Sequence, residues 1–267
     1  MTGGTAGRRP PVDRILRVRV IGDGSGDERL AAHLRAWLGA WPPAGAVDVV
    51  AAPVRDQPAW DGRISPLVGV GSPDGVLLSV TPARADAVTR AAGSLDDAVV
   101  RRAIVDALGV SGHVVGRGVF RWSTAVASPA ELPDIGDWVE PGDPRVPPWL
   151  KPFNYPQVLI TWDRDGDYGA GVGIKRHDDI GHELAVVTSE HLRGNGVARR
   201  LVAQAARRIL DEGNLPTYLH GPDNVASARV ADAVGFADRG WSVYGASPRC
   251  SSGSPPAPSI CTNRRWR

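Results

Sequence analysis

The fold is decided by residues 181–210, which read GHELAVVTSEHLRGNGVARRLVAQAARRIL. The first eight residues form an apolar run with β-branched valines and a threonine, a pattern that predicts a strand. Two glycines, Gly194 and Gly196, then predict a turn. After the turn, apolar side chains recur at spacings of four and five between pairs of arginines, which predicts an amphipathic helix. The stretch is therefore a strand, a loop and a helix.

The loop from Arg193 to Ala198 has the chemistry of an anion site. Glycines let the backbone approach an anion closely, and the amides at a helix start point outward without partners. A nucleotide-triphosphate loop would need Gly-Lys-Ser/Thr, which is absent, and the dinucleotide fingerprint would need a third glycine where Arg199 stands. Such a loop can hold phosphates, but it matches neither of these two patterns.

Arg193, Gly196 and Ala198 fill the pattern Arg-x-x-Gly-x-Ala between a strand and a helix, and this resembles the acetyl-coenzyme A loop of the GNAT superfamily of N-acetyltransferases. Taken alone, the loop is equally an ordinary glycine turn before a helix. A second segment, Asn224 to Phe236, looks like the Asn…Leu-Gly-Phe helix that follows in these proteins, although its glycine also fits the position just past a helix end. The two segments together, in this order, favour the GNAT family.

Length and composition predict two domains. The chain has 267 residues, 42% of them hydrophobic and 22% charged, so a sizeable core can form. We expect an N-terminal α+β domain at 12–113, a connector with a possible first strand at 114–148, and the GNAT core at 149–246. The resemblance implies a mixed, mostly antiparallel sheet flanked by helices for this core. Residues 1–11 and 247–267 are predicted to be disordered.

The individual elements are predicted from periodicity and turn residues. Asp-Gly between two β-rich runs at 158–162 and 168–174 predicts a hairpin. Further strands are predicted at 15–21, 47–51, 114–126, 216–220 and 241–245, a second hairpin at 67–70 and 76–80, and helices at 27–38, 83–92, 95–108 and from Asn224.

Composition excludes several classes of function. The net charge is only +2, and the arginines are interspersed with acidic residues, which argues against nucleic acid as a partner. There is no run of eighteen apolar residues and no apolar signal region, so no membrane span or export is expected. Cys250 and Cys261 have no metal-ligand spacing, so no metal is expected, and a reducing cytoplasm is the predicted compartment.

The resemblance implies transfer of an acetyl group from acetyl-coenzyme A to an amine of a small molecule or peptide. It implies that backbone groups of Val186, Val187 and Thr188 pair with the pantetheine arm and that Asn224 contacts the same arm. The pyrophosphate would be held by amides of the loop, which comprises Arg193, Gly194, Asn195, Gly196, Val197 and Ala198.

The general base is open at this point. GNAT enzymes often take a Glu or His from the central strand, and here His182 and Glu183 occupy it and point to opposite faces. A carboxylate beside apolar neighbours can have a raised pKa suited to a base, so Glu183 is the first candidate. It can equally be a solvated strand-end residue, and His182 and His220 are the further candidates.

The proton donor is where the sequence departs from the family. The tyrosine that many members carry seven residues after the asparagine falls at Ala231. Either another group such as Tyr244 donates the proton, or the thiolate leaves with help from water, or the site is silent. The favoured function is therefore an active N-acetyltransferase, and the alternative is a non-catalytic acyl-coenzyme A binding module with a regulatory role. The sequence determines neither the acceptor nor the oligomeric state.

Overall fold

The structure, a computed structural model, describes residues 24–249. The predicted disordered segment 1–11, the predicted strand 15–21 and most of the predicted tail, residues 250–267, lie outside the described residues. The helices are α1 Gly24–Leu38, α2 Ala85–Ala91, α3 Ala98–Leu108, α4 Val197–Asp211 and α5 Val225–Val234. The strands are β1 Val47–Ala51, β2 Leu67–Ser72, β3 Gly75–Val80, β4 His113–Trp122, β5 Asp137–Val139, β6 Val158–Trp162, β7 Tyr168–Arg176, β8 Gly181–Thr188, β9 Leu215–His220 and β10 Ser242–Pro248.

All of these strands belong to one sheet, in the order β1-β3-β2-β10-β4-β9-β8-β7-β6-β5. Neighbours are antiparallel except for β1 with β3 and β8 with β9. The predicted mixed, mostly antiparallel sheet flanked by helices is confirmed. Both predicted hairpins are present, as β2 with β3 and β6 with β7.

The sheet continues through the boundary that the sequence predicts at residue 113. Strand β10 inserts between β2 and β4, with Val243 opposite Val70 on one side and Gly118 on the other. The described part of the predicted N-terminal domain therefore shares one sheet with the segment predicted as the second domain, residues 149–246. Hydrophobic periodicity along the sequence could not reveal that the sheet is continuous, because it indicates whether an element is a helix or a strand and not which element it pairs with. Strand β10 also runs to Pro248, past the predicted end of the core at 246.

Helices cover both faces of the sheet. On β4, Phe120 and Trp122 pack with the buried apolar side chains of α1. Arg121 lies between them and therefore points to the opposite face, where it binds Asp232 of α5. Helix α4 also packs on that second face, and α2 and α3 cover the part of it that β2 and β3 form. Helix α1 thus lies alone on its face among the described helices.

Helix α4 confirms the predicted amphipathic pattern and holds part of the connector. Its buried apolar side chains include Leu201, Val202, Ala205 and Ile209. Gln204 is also buried, and its Oε1 accepts hydrogen bonds from the amides of Ile135 and Gly136 at 3.1 and 3.0 Å. Its Nε2 donates to the Gly136 carbonyl at 2.9 Å. The helix therefore fixes the segment that leads into β5.

No helix within residues 24–249 is long and apolar enough to cross a membrane. In the same part of the chain, no group of three or more His, Cys, Asp or Glu side chains is placed to hold a metal ion.

Removal of residues 250–267 is expected to leave stability nearly unchanged. The truncation keeps every residue of β10 and therefore every strand pairing of the described sheet. We expect the melting temperature in scanning calorimetry to change by less than about 2 °C, the size of a loss below 1 kcal/mol in a domain of this length. A drop of 5 °C or more would mean that the removed residues pack against the fold.

Candidate active site

The parallel pair β8 and β9 opens toward its carboxyl ends. Its last paired residues are Leu184 and Tyr218, whereas β8 stays paired with β7 as far as Thr188. Beyond Leu184 the edge of β8 that faces β9 has no strand partner among the described residues. Val186, Val187 and Thr188, the residues predicted to meet the pantetheine arm, all lie along this opening.

The predicted phosphate loop follows directly from the end of β8. Gly194 and Gly196 have φ values of +81° and +74°, the left-handed region that favours glycine, and Gly196 is the N-cap residue of α4. The Arg193 Nε donates to the Thr188 carbonyl at 3.3 Å, which ties the loop to the strand end. The backbone amides of residues 194–199 have no hydrogen-bond partner within the part of the chain that the structure describes. The sequence prediction of a loop with free amides is therefore reproduced.

The charge at the start of α4 favours an anion. The first turn contains no acidic residue, and the N-cap glycine offers no side-chain oxygen. Arg199 and Arg200 lie in this turn, where the positive end of the helix dipole opposes their charge. The Arg199 guanidinium lies over the loop, since a Cβ on Gly196 would be 2.8 Å from its Nε. Arg200 also donates to the Asn195 carbonyl at 3.2 Å. An anion among these groups would accept hydrogen bonds from the amides and lie close to both arginines.

Some of the predicted backbone contacts already have protein partners. The Val187 carbonyl accepts a hydrogen bond from the Tyr168 hydroxyl at 2.7 Å, and the Thr188 carbonyl accepts one from Arg193. Among the described residues, the Val186 carbonyl has no such side-chain partner. Asn224 is the N-cap of α5, and its Oδ1 accepts the amide of Ser227 at 3.1 Å. That capping bond is stabilising in itself, so a contact between Asn224 and the pantetheine arm stays a prediction.

Glu183 lies in a buried ion pair on the face that α1 covers. Its carboxylate accepts hydrogen bonds from the Lys175 ammonium and from His177 Nε2, the latter at 2.9 Å. Burial by itself raises the pKa of Glu183, but the charge of Lys175 and the hydrogen bond from His177 outweigh it and lower the pKa to about 2. The expected raised pKa is therefore wrong, because the sequence could not show which cation lies opposite. Such a carboxylate is a weak base, and we do not carry Glu183 into the reaction.

A series of side-chain contacts, not predicted from the sequence, connects the buried ion pair to α1. His177 contacts Trp37 with 4.5 Å between ring centroids, and Trp37 stacks on His33 at 5.4 Å. His33 is fully buried, and its Nδ1 is 2.6 Å from Asp178 Oδ2. The two partners are separated by 145 positions, and neither carries a sequence signal that names the other.

Tyr244 is not at the predicted site. It lies on β10, which β4 and β9 separate from β8. Three strand spacings place it about 14 Å or more from the opening. Its ring packs in the cluster of α2 and α3. Tyr244 is therefore too far from the opening to be the proton donor, and that prediction is wrong. The sequence could not show this, because the position of β10 within the sheet depends on pairing between residues far apart in the chain.

A phenol at position 231 is expected to destabilise the fold. Ala231 is fully buried in α5 within the cluster that also contains α4. In Ala231→Tyr the larger side chain has to displace packed neighbours, at a cost of about 1–3 kcal/mol or more. Ala233→Tyr, at an exposed position of the same helix, should change stability by less than about 0.5 kcal/mol. Urea denaturation of both variants measures the difference, and equal midpoints would contradict the burial of position 231.

The burial of His182 predicts that the protein loses stability in acid. The residue is 1% exposed, and neither ring nitrogen has a partner within residues 24–249. Burial, together with the charge of Arg176, lowers the pKa of His182 from 6.5 to about 4. The unfolded chain therefore binds a proton that the folded chain does not, and stability falls as the pH drops from 6.5 toward 4, by on the order of 3 kcal/mol. In His182→Leu this part of the pH dependence should vanish from urea midpoints measured between pH 7 and 4.5, and an unchanged slope would contradict the assignment.

Comparison with known proteins supports the same family. Residues 164–244 match a family model described as FR47-like protein, which is GNAT-related. The match includes β7, β8, the loop, α4, β9 and α5, and it confirms the GNAT resemblance of this part of the chain. A search of curated proteins gave no match.

Solved structures with a similar arrangement include three bacterial proteins. One is described as an acetyltransferase of the GNAT family from Novosphingobium aromaticivorans, with 21% identity over 53% of this chain and 69% of its own, at a TM-score of 0.42. A GNAT-family acetyltransferase from Colwellia psychrerythraea has 14% identity over 53% and 60%, at 0.39. A GCN5-related N-acetyltransferase-like protein from Streptococcus suis has 14% identity over 83% and 100%, at 0.46. Because these scores are low, the fold assignment rests on the strand order and the family match.

Proposed function

We propose that this chain, a GNAT-related protein by its residues 164–244, transfers the acetyl group of acetyl-coenzyme A to a primary amine of a small molecule or peptide. The observation that carries the proposal is the start of α4. It combines unpartnered amides, two left-handed glycines and two arginines without any acidic residue. Such a site is suited to a pyrophosphate, and it lies directly beside the opening between β8 and β9.

The residues present fit the cofactor that the family uses. The amides of residues 194–199, with Arg199 and Arg200, would hold the pyrophosphate. The free edge of β8 at Val186 would pair with the pantetheine arm. When bound, acetyl-coenzyme A would supply an acetyl group activated as a thioester. The chain's own contribution is to bind and orient that group and to move a proton between the amine and the departing sulfur.

A thiol-release assay over an amine library tests the proposal. Acetyl-coenzyme A is offered with polyamines, amino sugars and short peptides, and free thiol is measured with a chromogenic disulfide. We expect release above the hydrolysis background with at least one class of amine, and none in the Gly196→Asp variant. Tight binding of the cofactor without release for any amine would contradict an acetyltransferase.

The second candidate is a regulatory module that binds acyl-coenzyme A without turnover. It is favoured by the absence of the family's phenol at Ala231 and by the ion pair that occupies Glu183. In this case ligand binding should raise the melting temperature while no amine releases thiol. The same assay, combined with calorimetry, therefore separates the two functions.

A further inference from the structure

His220 lies at the opening between β8 and β9. It is the last residue of β9 and pairs with Val119 of β4 on one side. On the other side the pairing with β8 has already ended two residues earlier, at Leu184 and Tyr218. If the register continued, Val186 would be the partner of His220. The histidine and the free edge of β8 therefore flank the same gap.

The side chain lies on the face that α5 covers. His220 follows Tyr218 by two positions, so both point to the same face, and their ring centroids are 6.4 Å apart. The Tyr218 hydroxyl is 2.8 Å from Ser227 Oγ in α5. Helix α5 is the element on which the family's tyrosine would stand, at position 231. His220 therefore lies on the same side of the sheet as position 231, where this chain has an alanine and not the family's tyrosine.

Hydrogen bonding fixes which ring nitrogen is free. His220 Nδ1 is 2.8 Å from the carbonyl oxygen of Gly221. A carbonyl only accepts, so Nδ1 carries the hydrogen, and Nε2 of the neutral ring holds a lone pair. Nε2 is buried and has no partner among the described residues. Buried polar atoms are nearly always hydrogen-bonded, and a molecule bound in the opening would supply the partner that His220 Nε2 lacks among the described residues.

The other histidines do not share this arrangement. His33, His177 and His191 each contact a carboxylate, and His113 Nδ1 lies near the Ser111 carbonyl at the start of β4. The ring nitrogens of His182 have no hydrogen-bond partner among the described residues, but His182 is opposite Pro216, at the paired beginning of β8 and β9. Within residues 24–249, His220 alone combines a fixed lone pair with a place at the opening.

We propose that His220 is the catalytic residue that moves the proton in the acetyl transfer, an inference that rests on the function proposed above. As the amine nitrogen forms its bond to the acetyl carbon and the carbon–sulfur bond breaks, the nitrogen must lose one proton and the sulfur must gain one. His220 Nε2 accepts the first and returns it to the sulfur, so the ring ends as it began. No further oxidant, reductant or metal is needed. This assignment would account for a site that works without a tyrosine at position 231.

The kinetic test compares His220→Gln with His113→Gln. We expect His220→Gln to lower kcat by about 100-fold or more, since a positioned acid–base group contributes 10²–10⁴-fold. The dissociation constant for acetyl-coenzyme A, measured by calorimetry, should stay within about threefold, because the loop that binds the pyrophosphate is untouched. His113→Gln, at the surface end of β4, should match the wild type.

A second test does not depend on turnover. In protein labelled uniformly with ¹³C and ¹⁵N, the His220 ring resonances, assigned by through-bond correlation to the backbone, should show a protonated Nδ1 and an unprotonated Nε2. Addition of coenzyme A should shift the Nε2 resonance and leave that of His113 unchanged. The opposite tautomer, or an unshifted Nε2 when calorimetry shows coenzyme A bound, overturns the inference even if the variant fails to fold.

The outcomes separate this inference from the proposed function. If the wild type releases thiol and His220→Gln is equally fast, only the role of His220 is overturned. If the wild type binds the cofactor but releases no thiol with any amine, the acetyltransferase function fails, and the catalytic role of His220 fails with it.

Discussion

Gly196→Asp is expected to weaken binding of acetyl-coenzyme A by at least about 100-fold, since the amides and arginines of this loop would form several charge-assisted hydrogen bonds worth about 1.5–3 kcal/mol each. The new carboxylate would occupy the N-cap position and take the place of the pyrophosphate. It would also meet the Arg199 guanidinium, because a Cβ at this position is already 2.8 Å from Nε. Isothermal titration calorimetry gives the change in affinity directly.

Gly213→Asp is the matched control for that variant. Gly213 has φ = +83°, close to the +74° of Gly196, so a side chain causes similar backbone strain at either position. No atom of the described residues lies within 4 Å of a Cβ built on Gly213, and the residue follows the opposite end of α4. The same change in charge and strain should therefore leave the affinity unaltered. Equal affinities for the wild type, Gly196→Asp and Gly213→Asp would place the cofactor elsewhere.

Lys175→Met is expected to destabilise the protein by about 3–5 kcal/mol, the usual cost of removing one member of a buried ion pair. The side chains of Lys175 and Glu183 are 7% and 6% exposed, so water cannot replace the lost cation. The ammonium also lies 5.2 Å from the ring centroid of Trp60, a contact that methionine retains only in part. Urea denaturation followed by tryptophan fluorescence measures the loss.

Two further variants separate the buried charge from the loss of a lysine. The double change Lys175→Met with Glu183→Gln removes both charges and should recover much of the stability, because an uncharged buried pair costs less than a carboxylate that keeps only its hydrogen bond to His177. Arg102→Met breaks the exposed pair with Asp106, whose side chains are 61% and 66% exposed, and should cost less than about 1 kcal/mol. If Lys175→Met is as stable as Arg102→Met, the buried ion pair does not contribute to stability and the prediction is wrong.

The sequence alone determined the parts of this protein that depend on neighbours along the chain. The run from Gly181 to Leu210 predicts its strand, loop and helix, because hydrophobic periodicity and glycines act locally. The positive φ values of Gly194 and Gly196 follow from the same local chemistry. The pattern of Arg193, Gly196 and Ala198, together with the segment from Asn224 to Phe236, suggested the family, which the match over residues 164–244 supports.

Only the tertiary structure decided which of the candidate groups lie together and in what charge state. It placed β10 beside β2 and so removed Tyr244 from the opening, and it paired Glu183 with Lys175 and thereby lowered its pKa. It also left His220 Nε2 buried at the end of β9, with no hydrogen-bond partner in the described part of the chain. Strand order, ion pairing and burial depend on contacts between residues far apart in sequence. Periodicity carries no information about such contacts, because it reports which face of an element is apolar and not what packs against that face.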